Sequence, residues 1–292
     1  MMHKVALGAT GMTVSAVGLG CSRLGSTLGG CTGAAADRLL RHAQAVGVSL
    51  FDTADIYGQG DSERLLGAAL RGNRDRAVIL TKAGQRFTAA QRAVALAKGP
   101  LRLAARHLPQ LRRRIAARRA APLPRDFRPD YLREAIRRSL RRLRTDRIDL
   151  FLLHSPPAEE LRHAHSACEM LDRLVQAGDV RAWGVSCDDA EALQAALAIP
   201  SVAVVQLPLA LARTEAGRRM LDAAAARGVG VLVRELGASV VGGLADPSAR
   251  RQAVAAALAT ATAAVVGTTN AAHLDEIVAE ASRIPLRMGM TA

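Results

Sequence analysis

Short apolar runs alternate with longer stretches in which apolar residues recur every three or four positions along most of this 292-residue chain. A short apolar run between turn-forming residues reads as a buried strand, and a stripe at helical spacing reads as a helix with one covered face. Strands are expected at residues 14–19, 48–51, 77–81, 149–153, 182–185, 203–206, 229–233 and 264–266. Helices are expected at 34–45, after Asp61-Ser62, and at 129–143, 159–176, 190–197, 216–226, 247–259 and 271–282. The covered stripes of the first three are Leu39, Leu40 and Ala43, then Leu65, Leu66, Ala69 and Leu70, then Leu132, Ile136, Leu140 and Leu143. Asp61 or Ser62 can cap the second helix. Repeated strand–helix–strand crossovers imply a parallel sheet. Eight of them in under 300 residues favour a closed (β/α)8 TIM barrel over an open sheet. Ahead of the barrel, residues 3–7 and 12–14 flank Gly8-Ala9-Thr10-Gly11. Glycines there supply positive φ, so this stretch reads as an N-terminal β-hairpin.

One segment breaks the alternation. More than forty residues lie between Lys82 and Phe127, where a few would suffice. Leu101, Ala104, Leu108, Leu111 and Ile115 share a stripe that Pro100 and Pro109 interrupt, so two short amphipathic helices joined by a bend are expected. Residues 87–129 carry eleven Lys and Arg against one Asp, a net of +10 within a chain of net +14. The basicity is therefore a property of the insertion. With Phe87 and Phe127 as its only aromatics, base stacking is poorly provided for and no nucleic-acid partner is expected. The insertion follows the third barrel strand and leaves on the carboxyl side of the sheet. A solvated loop, a lid, or a patch for an anionic substrate or membrane surface would each fit there. The rest of residues 1–292 reads as one domain. No apolar run reaches the roughly 18 residues of a membrane span, and the amino end lacks the apolar core of a signal peptide. Cys21, Cys31, Cys168 and Cys187 have no metal spacing. The expectation is a cytoplasmic protein with free thiols and no metal site; the oligomeric state is open.

Candidate chemistry sits where strands end. The second barrel strand runs into Asp52, and Tyr57 follows in a loop ending at Gly58. The third runs into Thr81-Lys82 and the fourth into His154. In a parallel barrel these ends converge on one face. A phenol near pKa 10 is a poor proton donor at neutral pH. A Lys ammonium beside it stabilises the phenolate, and an Asp beside the Lys holds it charged and oriented. A nearby His can hydrogen-bond a carbonyl or relay a proton. Taken singly, His154 reads as readily as a structural histidine, Tyr57 as a loop anchor, Lys82 as a surface charge and Asp52 as a cap. Together they hold the parts for acid-assisted carbonyl reduction, with the reductant left to a hydride-carrying cofactor. Gly18-x-Gly20 lacks the third glycine and the strand–helix context of a dinucleotide fingerprint, so a Rossmann domain is not expected.

These motifs resemble those of the aldo-keto reductase family. The family's Phe-Asp-Thr-Ala-x-x-Tyr-Gly is matched by Phe51 to Gly58, and its Ser-Glu-x-x-Leu-Gly by Ser62 to Gly67. Thr81-Lys82 follows the third strand, and the long pattern from Ser139 to His154 ends in Leu-Leu-His. The resemblance covers almost the whole chain outside residues 87–129. It implies an NAD(P)H-dependent oxidoreductase that interconverts an aldehyde or ketone with an alcohol. In that reading Tyr57 donates the proton, Lys82 and Asp52 tune it, and His154 orients the carbonyl. Ser186 and Gln206 would hold the nicotinamide carboxamide, with Cys187 standing where the family has Asn. Gly20, Cys21 and Ser22 after the first barrel strand, and Arg234 and Leu236 after the seventh, join the implied cofactor contacts, Arg234 where the family often has a stacking ring. Gly267, Thr268, Thr269 and Asn270 open the last helix, whose amides suit a phosphate. Thr268 and His273 stand in place of the Lys and Arg that grip the 2′-phosphate of NADP. NADP(H), favoured by the family, and NAD(H) both stay open, and a non-catalytic NAD(P)-binding regulator on the same barrel is the alternative.

Overall fold

The computed structural model describes residues 2–26, 30–88, 123–239 and 246–284. The short apolar runs form strands buried on both faces, as a parallel sheet covered by helices demands. In chain order the elements are the hairpin strands β1 (Lys4–Ala6) and β2 (Thr13–Ser15), β3 (Val17–Gly20), α1 (Ala34–Ala45), β4 (Leu50–Asp52), α2 (Asp61–Ala69) and β5 (Val78–Ala83). Then come α3 (Pro129–Leu143), β6 (Ile148–His154), α4 (Ala158–Arg162), α5 (His165–Ala177), β7 (Val180–Ser186), α6 (Ala190–Leu197) and β8 (Val204–Pro208). The chain continues through α7 (Leu209–Ala212), α8 (Glu215–Ala226), β9 (Gly230–Arg234), α9 (Pro247–Thr260), β10 (Ala263–Val266) and α10 (Ala271–Ala281). Strands β3 to β10 pair in sequence order, and β10 returns to β3 to close the barrel. Every pairing in it is parallel, so all eight strands end on the same face.

The hairpin covers the opposite end. Val5, Leu7 and Val14 are wholly buried. Ser15 and Ser49 exchange backbone-to-hydroxyl bonds of 2.8 and 2.9 Å just before β4 begins. At the turn, Ala9 N–H donates to the Gly228 carbonyl at 2.7 Å, and a Cβ on Gly8, at φ 54°, would sit 2.2 Å from that same oxygen. The glycine is needed there both for its φ and for the close approach.

Two expectations change on contact with the structure: the cap expected at Asp61 or Ser62 is Gly60, with no side-chain cap hydrogen bond, and one expected helix is broken. The helix expected over 159–176 is two helices, α4 and α5, with a break at His163 and Ala164. Ala158, Leu161, Ala164, Ala167 and Met170 are all buried. A stripe at every third residue slips about 60° per step around a helix of about 100° per residue, so one continuous helix would carry it away from the barrel. The break resets the phase. A further one-turn helix, α7, follows β8 directly.

The insertion leaves from β5 through a short stem. Gln85 and Arg125 form an antiparallel bridge, Asp126 N–H donates to the Gly84 carbonyl at 2.7 Å, and Arg86 N–H donates to the Pro124 carbonyl at 2.8 Å. Asp126 then takes Arg128 on both oxygens, at 2.9 and 2.8 Å. The stripe from Leu101 to Ile115 lies outside the described residues.

Candidate active site

Register decides which side chains meet. Gly20 pairs with Asp52, Asp52 with Leu80, Lys82 with Leu152, His154 with Ser186, and Ser186 with Gln206. The sequence candidates on β4 to β8 therefore ring one mouth. Lys82 Nζ forms an ion pair with Asp52 Oδ1 and donates to the Thr53 carbonyl at 3.0 Å. Asp52 Oδ2 accepts from Gln206 Nε2 at 3.0 Å, and Gln206 Oε1 accepts from the Ser186 hydroxyl at 3.1 Å. These four side chains are almost completely buried. A buried ion pair is tolerable when its remaining valences are hydrogen-bonded, and here they are.

Tyr57 begins a 3₁₀ turn, Tyr57–Gly60, that leads into α2. Lys82 Nζ lies 5.1 Å from the centre of its ring, and the His154 ring stands edge-on to it at 5.8 Å. The phenol is thus bracketed by an ammonium and an imidazole. Burial pushes its pKa up, against the pull of the Lys82 charge. The Lys82 effect has the expected sign, but burial outweighs it, so the phenol keeps its proton at neutral pH. Burial opposes the charge on Lys82 itself, yet Asp52 and then Tyr57 more than compensate, and its pKa rises. Burial, with the charges of Lys82 and Arg234, holds His154 well below the ordinary histidine value. It is a neutral imidazole, and its buried Nδ1 has no hydrogen-bond partner among the described residues.

The residues implied for a cofactor line the same rim. Gln206 retains one amide N–H and one lone pair, and Ser186 its hydroxyl lone pairs, a set that fits a carboxamide. Cys21 and Cys187 are buried thiols that donate back to their own strands, to the Leu19 carbonyl at 3.6 Å and the Val185 carbonyl at 3.9 Å. Burial pushes both far above a reactive value. Ser22 is exposed beside Cys21, Leu236 is buried after β9, and Gly267 is open at the exit of β10. Beyond it, Thr268 Oγ1 accepts from Asn270 N–H at 3.1 Å and the Asn270 side chain accepts from Ala272 N–H at 2.9 Å. Two of the amides at the start of α10 are thus already bonded, and Thr269 and His273 flank them half-buried.

The bonds that tie the local framework together carry no mark in the sequence, although several of the residues do. Arg234 is anchored by Asp188, Glu235 and the Cys187 carbonyl, the last at 3.2 Å. Asp188 also accepts from the Ser155 hydroxyl at 2.9 Å, and Ser155 sits at φ 54°. Glu63, fully buried, accepts from Thr81 Oγ1 at 2.7 Å and Arg142 Nε at 2.5 Å, tying α2 to β5 and α3. Asp188, two residues past the end of β7, could have been found by its place; Glu63, Thr81 and Arg142 fall within the matched motifs, which do not say that they bond one another. Two other grooves, about 630 Å³ between α5 and α6 and about 720 Å³ on the hairpin face, hold no comparable set of groups. No cluster of metal-ligating side chains is found among the described residues, and none of their helices is long and apolar enough to cross a membrane.

Comparisons with known proteins bear on the family and the fold. A 6-dehydroglucose reductase of Novosphingobium aromaticivorans is 36% identical over 189 residues, 62% of this chain and 50% of that protein. The chain spans about half the length of the first curated relatives it matches. PA4992 of Pseudomonas aeruginosa, a solved structure assigned to the aldo-keto reductases, superposes with a TM-score of 0.73 at 28% identity, over 96% of this chain and 95% of that one. An aldo-keto reductase of Klebsiella pneumoniae solved with NADPH shares the fold at 22% identity and a TM-score of 0.64, over 98% and 92% of the two chains. The model of the aldo/keto reductase family matches residues 16–255, most of the barrel, and the chain belongs to that family.

Proposed function

We propose that this chain transfers hydride between a nicotinamide cofactor and an aldehyde or ketone, with Tyr57 as the proton donor. The observation that carries the reading is the bracketing of one phenol by a buried, carboxylate-held ammonium and a neutral imidazole. When bound, the cofactor supplies the hydride. The residues that would hold it are Ser186 and Gln206 for the carboxamide, the Arg234 plane for the ring, and the start of α10, from Gly267 to Asn270, for phosphate.

Reduction of a carbonyl needs a proton for the oxygen as the carbon receives hydride. Tyr57 holds that proton at neutral pH. As it leaves, the phenolate forms beside Lys82, whose charge Asp52 maintains, so the developing negative charge meets a fixed cation in a site of low dielectric. His154, being neutral, can direct a ring N–H at the carbonyl oxygen without adding a charge that would compete with Lys82. In the reverse direction the same phenolate accepts the alcohol proton.

The test is a fluorescence titration with NADPH and NADH, followed by turnover on a panel of aldehydes and ketones. Sugar-derived carbonyls, the class named for the Novosphingobium relative, come first. Saturable cofactor binding with turnover of at least one carbonyl is the expected result. Cofactor binding without turnover across the panel would overturn the catalytic reading. Because Thr268 and His273 offer no fixed cation to a 2′-phosphate, the expected preference between the two cofactors is weak.

A further inference from the structure

Asp55 lies two residues before Tyr57 and has no part in the chemistry above. Its N–H donates to the Lys82 carbonyl at 3.0 Å, so its backbone is stitched to the strand that carries the ammonium. The titratable and charged groups around its carboxyl are Glu63 on α2 and Tyr131, Arg138 and Arg142 on α3. All four are engaged elsewhere. Arg142 donates to Glu63 at 2.5 Å and to Ser139 at 3.4 Å. Arg138 pairs with Glu134 at 3.4 Å and lies over the Tyr131 ring, and Tyr131 donates to the Gln85 carbonyl at 3.2 Å. Asp55 Oδ1 is buried with no hydrogen-bond partner among the described residues. An ionised carboxylate in that position is costly, whereas a neutral acid is not. Burial, with Glu63 adding to it, pushes this carboxyl up to about 8, against the charges of Arg142 and Arg138 and a hydrogen bond from the Ile56 N–H.

The loop beside it depends on Arg142. Gly58, Gln59 and Gly60 all have left-handed φ, at 55°, 60° and 88°. Gln59 has no glycine's freedom, so its conformation is held by what packs on the loop. The Arg142 side chain passes directly over Gly60, where a Cβ would lie 2.7 Å from its Cδ. Its Nε binds Glu63, whose other oxygen takes Thr81, the neighbour of Lys82.

We propose that Asp55 is a positioning residue for Tyr57 that works as a neutral acid, and that its ionisation draws Arg142 away from Glu63 and loosens the loop holding the phenol. The inference rests on Tyr57 being the proton donor. It is tested by kcat for carbonyl reduction at saturating cofactor from pH 6 to pH 10, in the wild type, Asp55→Asn and Asp55→Ala. An acid titrating near pH 8 is about one-tenth protonated at pH 9, so wild-type kcat falls about tenfold between pH 7 and pH 9. Both variants lose this limb, the kcat of each varying by less than about threefold between pH 7 and pH 9. A limb of equal depth in the variants, or none near pH 8 in the wild type, would overturn the proposal. Hydrogen exchange over residues 55–63 reads the same event without turnover. Protection, corrected for intrinsic rate, drops between pH 7 and pH 9 in the wild type and stays constant in whichever variant folds; equal behaviour would contradict the role. Absence of any turnover at pH 7 would instead sink the catalytic reading, leaving the exchange result to decide for Asp55.

Discussion

Both oxygens of Asp52 are committed, one to Lys82 and the other to Gln206. Lys82→Met therefore strands a buried carboxylate, and the expected loss of stability is about 3–5 kcal/mol. Urea unfolding at pH 7 measures it, and a loss below about 1 kcal/mol would show that Asp52 finds water or another cation. His154 gives a pH signature. Unfolded, a histidine takes up its proton as the pH falls through about 6.5, while folded His154 resists until far lower. The unfolded state then binds more protons, so stability falls on acidification below about pH 6.5. His154→Asn removes that component, and its urea midpoint should drop less between pH 7 and pH 5 than the wild type's. Equal drops would mean that the imidazole is not held neutral. At this scale Asp52, Lys82 and His154 were legible because each stands at the carboxyl end of a strand, and strand ends in a parallel barrel have only one face to occupy. Asp55 and Ser155 were not. Their significance comes from an unpartnered oxygen and a left-handed backbone, which no residue pattern records.

Among the elements, the strands and the long helices follow from periodicity, and the failure at α4 and α5 follows from it too. A three-residue spacing looks helical in any short window and reveals its drift only over several turns. The stem of the insertion was illegible for another reason: Gln85 and Arg125 are forty residues apart, and nothing in either flank names the other. Asp126 is the pin of that stem. Its Arg128 partner, with Arg86 adding, holds its carboxyl below the usual range. Such a group stabilises the fold above its unfolded pKa, and the contribution fades as the pH falls through the lower folded value. Side chains of Arg86 and Arg128 are 49% and 77% exposed, so Asp126→Asn should cost about 1 kcal/mol or less at pH 7. The difference from the wild type should shrink toward pH 3; a constant difference would assign it to the hydrogen bond with Arg128 N–H alone.

For the molecule as a whole, eight strand–helix repeats were enough to anticipate the closed barrel, because crossover handedness and burial leave few alternatives at this length. The net charge of +14 gave little guidance until it was located, since +10 of it falls within residues 87–129. The motif matches foresaw which strand ends would meet, but not how the pieces bond. Ser186 and Gln206, read as cofactor contacts, also form the hydrogen-bonded chain that ends on Asp52. The proposed cofactor contacts and the Asp52–Lys82 pair beside the proposed proton donor are thus joined through one network, and the central claim is that binding and proton donation remain separable at Tyr57. The most direct test is Tyr57→Phe, with NADPH or NADH dissociation constant and kcat measured on the same preparation. A general acid contributes about 10²–10⁴-fold. The account predicts a kcat loss of that order with cofactor affinity unchanged within about threefold; a variant that still turns over within about threefold of wild type would contradict it.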